Sequence, residues 1–256
     1  MFHTAAFWEN IDQATVHQEL AAALGEQVLF ITGDDIRVPA DMPNIVAVAA
    51  MLALNANRGE LVSPSLRRGP GFDIIPVNAL TDGNCEPDSP PAIIDLRRNP
   101  IALDPDESLN ALADSNPAAA ADQSIVVWLS DGPIQPVEGS PIFSVRATGA
   151  ITAVAGAWTN GALTFARDLP VGTYQVVGLN ALGATLIAAR LVFRGGAARP
   201  GVLGCDLESD KTWSGFRYGQ FGVFGEFHTN TPPTVDVLAN DADTAQEFIL
   251  DLVKVS

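Results

Sequence analysis

Five aromatic residues, Phe216, Tyr218, Phe221, Phe224 and Phe227, fall within twelve positions, interleaved with Gly219, Gly222 and Gly225 and followed by Pro232-Pro233. Rings and glycines packed this closely build sheets and surfaces rather than a catalytic pocket. They set the expectation of an assembling or binding β-structure. At 256 residues the chain can bury a full core, as one large β domain or two small ones. Hydrophobic residues make up 47% of it and charged residues 17%. Its surface must therefore be rich in small neutral residues, which suits subunits that cover one another.

The formal charge of −16 argues against broad nucleic-acid binding, because phosphate affinity rests on clustered Lys and Arg. The two lysines are Lys211 and Lys254, and the arginine pairs Arg67-Arg68 and Arg97-Arg98 are too short to line a polyanion groove. They read as surface or interface ion-pair donors. Cys85 and Cys205 stand far apart with no CxxC, and His3, His17 and His228 are scattered, so two free thiols and no zinc are expected. Met1-Phe2-His3-Thr4 lacks the basic start of a secretory signal. The longest apolar run, Ile45 to Leu54, is about half of what a membrane-spanning helix needs.

Spacing predicts a helix over Phe7 to Leu24, with Val16, Leu20, Ala23 and Leu24 on one face and Gly25 as its cap. Short apolar runs come next at Val28 to Ile31, Ile45 to Leu54 and Phe72 to Val77, separated by turn-forming clusters. Asn78 to Pro91 reads as a long surface loop. A second helix is predicted from Asp104 as N-cap, Pro105 at the first helical position and Glu107 completing a capping box, with Leu109 and Leu112 inside it. Pro117 to Asp122 reads as a linker. Beyond it strands are expected at Ser124 to Leu129, Ile142 to Ala147, Ala150 to Trp158, Leu163 to Arg167, Phe216 to Phe227, Thr234 to Ala239 and Glu247 to Val255. Thr173 to Leu179 and Ala184 to Phe193 are expected to form a hairpin around Asn180 to Gly183, its second arm presenting Arg190 and Arg194 on the solvent face. The predicted fold is all-β: an N-terminal helical arm over 1–26, a first sandwich over 27–117 and a second over 118–256, with a mid-chain helix.

Gly33-Asp34-Asp35 matches the metal-binding turn of polymerases but reads as an acidic hairpin turn. Asp104 and Asp106 read as cap residues rather than calcium ligands. Asn240-Asp241-Ala-Asp243 places two carboxylates and an amide on one loop, hard oxygen donors of the kind calcium uses. The piece from Val235 to Asp243 resembles a short segment of cadherin-like repeats in bacterial surface adhesins. Gly195-Gly196 opens no helix that could hold phosphate, and no nucleophile elbow, P-loop or dinucleotide fingerprint occurs. Trp8, Trp128, Trp158 and Trp213 read as core anchors. No catalytic, cofactor or metal residue is assigned.

Leu169 to Tyr174, Arg199-Pro-Gly201 and Phe216 to Phe227 carry a resemblance of plan to the double jelly-roll major capsid proteins of icosahedral bacterial and archaeal viruses. The resemblance implies two tandem jelly rolls, homotrimeric capsomers meeting one another and a penton protein, and a virion shell that often lines an internal membrane. It implies no enzyme, no cofactor and no sequence-specific nucleic acid. Contact surfaces would then lie around Trp8 and Ile11, in the loop Asn78 to Pro91 and in the aromatic segment. The alternative is a calcium-dependent adhesin or carbohydrate-binding sandwich with its ion near Asp241 and Asp243.

Overall fold

The computed structural model describes residues 1–11, 15–26, 31–32, 35–51, 58–63, 75–77, 92–115, 121–205 and 213–256. These residues are all-β, with one turn of 3-10 helix at Ser214–Phe216 and no α-helix among them. No helix among the described residues is long and apolar enough to cross a membrane. The chain divides into two compact units, one of Ala5–Pro133 and one of Met1–Thr4 with Ile134–Ser256. The sequence pattern places the divide at 117/118 instead. Of the predicted linker, residues 117–120 lie outside the described residues, and Ala121 and Asp122 open a strand.

The unit of residues 5–133 holds the part of β1 (Phe2–Ile11) from Ala5 onward, β2 (Thr15–Ala22), β3 (Ile31–Thr32), β4 (Asp35–Arg37), β5 (Asn44–Met51), β6 (Arg58–Val62), β7 (Ile75–Val77), β8 (Ala92–Asp95), β9 (Ile101–Ala102), β10 (Ser108–Ser115) and β11 (Ala121–Ser130). They form one sheet in the order β3-β4-β10-β2-β1-β11-β5-β8, with β6 on β10, β7 on β6 and β9 on β5. Its centre is the antiparallel pair β5 and β11, in which Val48 faces Val127 and Ala47 faces Trp128. Every residue from Ile45 to Met51 and from Gln123 to Ser130 is buried. Ala47, paired with Trp128, adds little bulk beside the indole, whose complete burial contributes about 3 kcal/mol.

Both predicted helices are strands. Residues four apart share one side of a strand as well as of a helix, so the spacing across residues 7–24 fits either. Pairing decides it: Phe7 faces Ala22 and Trp8 faces Ala21, and β10 takes β2 as a neighbour. In the second case the capping contact forms without the helix. Glu107 Oε1 accepts from Asp104 N at 3.2 Å, but Asp106 takes a left-handed φ of 65° and Val38 N bonds Glu107 O. The chain therefore leaves the turn extended. Leu109, Ala111 and Ala113 are then buried on one face of β10, while Ser108, Asn110 and Leu112 lie on the other.

The second unit holds β12 (Phe143–Gly149), β13 (Thr159–Ala162), β14 (Thr164–Phe165), β15 (Thr173–Leu182), β16 (Leu186–Val192), β17 (Gly201–Cys205), β18 (Gly225–His228), β19 (Thr234–Ala239) and β20 (Gln246–Lys254). Their order is β13-β19-β16-β17-β15-β20-β12-β14, with β18 on β15. The long β15 runs antiparallel to β20 along its length, pairs β18 at residues 173–176, and meets β17 in parallel at Ala181 and Leu182. The predicted hairpin does not form: Asn180 to Leu182 continue β15, and β16 pairs β17 and β19 instead. Ala150 to Trp158 is not a strand either, holding isolated bridges Val154↔Ala157 and Ala155↔Ala239. Tyr174, fully buried, donates its hydroxyl to Pro170 O at 2.7 Å and closes the Leu169 to Tyr174 turn.

Candidate functional site

The aromatic segment is not one strand. After the 3-10 turn come further turns, with Tyr218, Gly219 and Gly222 at φ of 51°, 76° and 73°, and only Gly225–His228 is extended as β18. The rings separate into two clusters within this unit. Phe216, Phe221 and Phe224 pack with Trp213 and with Phe2, whose ring lies 4.9 Å from Phe221 and 5.0 Å from Phe224. Phe227 lies beside Tyr174 and Phe165 at 5.9 and 6.2 Å. Tyr218 and Val223 stay exposed.

Asp251, fully buried on β20, holds this segment in place. Its Oδ1 accepts from Ser144 Oγ at 2.6 Å and Arg217 Nη2 at 2.9 Å; its Oδ2 accepts from Arg217 Nε at 2.7 Å and Tyr218 N at 2.8 Å. Burial alone would push this carboxyl up, but the Arg217 guanidinium, the Ser144 hydroxyl and the Tyr218 N–H together hold it below the usual carboxylate range. The same pairing raises Arg217. Four donors occupy the carboxylate, so it fastens the loop and offers no free oxygen for acid-base work. The register places Ser144 and Gly178 directly opposite Asp251, on β12 and β15. A bulge between Val176 and Gly178 lets Val177 O accept from Gly219 N at 2.6 Å and Val176 O from Phe224 N at 2.8 Å.

Gly178 leaves the opening through which the loop reaches Asp251. A Cβ there would collide with Asp251 Oδ2 and stand 2.9 Å from Tyr218 N. Gly178→Ala is therefore expected to destabilise the unit by about 1–3 kcal/mol, read as a lower urea midpoint at unchanged slope. A midpoint equal to wild type would show that the loop is not seated on Asp251.

Arg190, predicted at the surface, is 1% exposed. Its Nε donates to Asp236 Oδ2 at 3.0 Å, its Nη1 to Thr4 O at 3.1 Å, and its Cζ lies 4.0 Å over the Trp158 ring. Asn160 Nδ2 donates to the other Asp236 oxygen at 2.8 Å. Thr4 N bonds Arg199 O and Arg199 N bonds His3 Nδ1, so residues 2–4 are anchored in this unit by backbone, guanidinium and rings together. Arg194 is exposed, as predicted.

In the loop between β19 and β20, Asp243 is 8% exposed and Asp241 is exposed. No group of three or more His, Cys, Asp and Glu that could hold a metal occurs among the described residues. Cys205 is buried, and burial pushes its thiol up to about 11, so that it is protonated at neutral pH; Cys85 lies outside the described residues. Gly33 and Asp34, the loop 78–91 and the Arg67-Arg68 pair also lie outside them. In the other unit, Ile11 is buried and Trp8 half-buried. A groove of about 380 Å³ runs over the outward face of β10, lined by Glu19, Asp35, Ser63, Ser108 and Asn110. Ser63 Oγ donates to Glu107 at 2.6 Å beside it.

No family model and no curated protein matches this chain. Among solved structures, a Paenibacillus xanthan lyase is similar at 12% identity with a TM-score of 0.24. The match covers all of this chain and 25% of that one, so this chain spans a quarter of the lyase's length. At that score the likeness carries no argument about fold or chemistry.

Arg190 and Asp251 were not assigned by sequence reasoning. The available signal was a charge set among apolar neighbours in a strand, Arg190 as the one charged residue of Leu186–Val192 and Asp251 between Leu250 and Leu252 in Gln246–Lys254. Such a residue needs a buried partner on the same face.

Proposed function

We propose that the chain is a structural coat subunit, a double jelly roll with one roll in each unit, that self-assembles as homotrimeric capsomers of an icosahedral virion. The observation that carries this reading is the set of apolar side chains left on the surface of the C-terminal unit. Phe143, Val171 and Val255 are 40%, 76% and 53% exposed where β12 begins and β20 ends. Tyr218 and Val223 are exposed on the clasped loop, at 56% and 40%. In a chain with so few charged residues, such groups offer area for a neighbouring copy to cover. Two further features support the reading. Each unit has its own sheet and core, as tandem rolls require, and the conspicuous aromatic segment is fastened as a fixed surface.

Light scattering on the expressed chain, at low and high salt and with and without calcium, tests it. A calcium-independent mass of about three chains, or larger shells, is expected. Val171→Asp, at an exposed position, is expected to shift that mass towards single chains. A monomer under all conditions overturns the proposal.

A further inference from the structure

We infer that the loop joining β19 to β20 is a binding site for a hard divalent cation of the calcium class, held by Asn240, Asp241 and Asp243. The loop is fixed by its backbone. Asn240 N donates to Thr185 O at 3.0 Å, Ala153 N to Asp243 O at 2.8 Å, and Thr185 Oγ1 to Asp241 O at 3.1 Å. Each carboxylate also caps the loop with one oxygen: Asp241 Oδ1 accepts from Ala242 N at 2.6 Å and Asp243 Oδ1 from Ala245 N at 2.9 Å. Two side-chain oxygens of the loop are then left buried without a partner among the described residues, Asn240 Oδ1 and Asp243 Oδ2.

A buried acceptor without a donor is destabilising, and more so when it carries charge. Neither Asp241 nor Asp243 has an ion-pair partner among the described residues. Two carboxylates on one loop therefore stand without a compensating positive charge. Gly183 keeps the space beside Asp243 Oδ2 clear, since a Cβ there would come within 2.6 Å of that oxygen. A cation that prefers oxygen, seated at Asp243 Oδ2, supplies both the missing positive charge and a partner for that buried oxygen. The donor set, carboxylate and amide oxygens with no thiolate or imidazole, selects calcium over zinc. With a small number of protein oxygens and an exposed mouth at Asp241, affinity belongs to the weak class of oxygen sites, about millimolar.

The test is thermal unfolding and calorimetric titration of the intact chain with calcium, against the same chain in chelator. At about ten times the dissociation constant, calcium is expected to raise the melting temperature of wild type by about 3–5 °C. Asp243→Asn is expected to abolish that rise. Should Asp243→Asn not fold, Asn240→Asp decides, because an added carboxylate should tighten binding about tenfold or more. No shift in wild type up to about 10 mM calcium, or an equal shift in Asp243→Asn, overturns the site and leaves water as the partner of both oxygens. The coat reading is independent, since it is judged by solution mass without calcium.

Discussion

Asp251→Ala is expected to lower the stability of the C-terminal unit by about 3–5 kcal/mol. Removing one member of a buried ion pair leaves the other charged and unpaired, which costs more than the pair itself contributes. Here the orphaned group is Arg217, with Tyr218 N and Ser144 Oγ losing their acceptor as well. Urea unfolding followed by tryptophan fluorescence measures it, because Trp213 packs against Phe216 in the clasped loop. Ser144→Ala, removing one neutral donor, should cost only about 1 kcal/mol. A loss below that figure for Asp251→Ala would mean that the loop is held by its rings alone. Acid provides a second reading. The folded carboxyl lies below its unfolded value, so its contribution is present above about pH 4 and is lost as pH falls through the folded value. The variant should lack that part of the wild-type acid transition.

Arg190→Ala is expected to cost about as much, about 3–5 kcal/mol, and to carry a signature that Asp251→Ala lacks. It leaves Asp236 buried with Asn160 as its remaining side-chain donor among the described residues, uncovers the Trp158 face and removes the donor to Thr4 O. Residues 1–4 should then become accessible to limited proteolysis while the rest of the unit remains folded. The double variant Arg190→Met with Asp236→Leu should recover most of the stability, since apolar replacement of both partners removes the unpaired charge. It should not recover the protection of Thr4, whose carbonyl still lacks its donor. Protection restored in full would show that the guanidinium does not hold the N-terminal residues.

Strands whose apolar runs match their burial were legible in the sequence. Thr234–Ala239 was predicted to the residue, and Ser124 to Leu129 falls inside β11. What failed were segments whose local pattern fits two structures. The capping contact between Asp104 and Glu107 is real, yet it closes a turn, because the alternation of Leu109, Ala111 and Ala113 finds strand partners in β2, β4 and β6. Helix start signals report the first turn and leave the conformation of the next residues open. The predicted hairpin failed for a related reason. Asn180 to Gly183 has turn chemistry, but β15 continues to Leu182 because β20 supplies it with a partner throughout. Of the candidate site, the aromatic segment was visible as rings and glycines. Its anchor was not, because the ladder of β12, β20 and β15 brings Ser144, Asp251 and Gly178 together from positions up to 107 residues apart.

The anchoring of residues 2–4 orders events during synthesis. Arg190 and Thr4 stand 186 positions apart in the chain. Thr4 leaves the ribosome long before Arg190, Phe221 or Phe224 exists to receive the segment it belongs to. At about 5–20 residues per second that interval is on the order of ten seconds or more. Throughout it Phe2 lacks the aromatic cluster that receives its ring in the folded unit. Closing so long a loop adds little equilibrium cost over a shorter one, because the entropy grows only with the logarithm of length. The burden is temporal. Residues 2–4 are completed by residues made long after them, and synthesis interrupted before residue 190 leaves that segment without its docking partners.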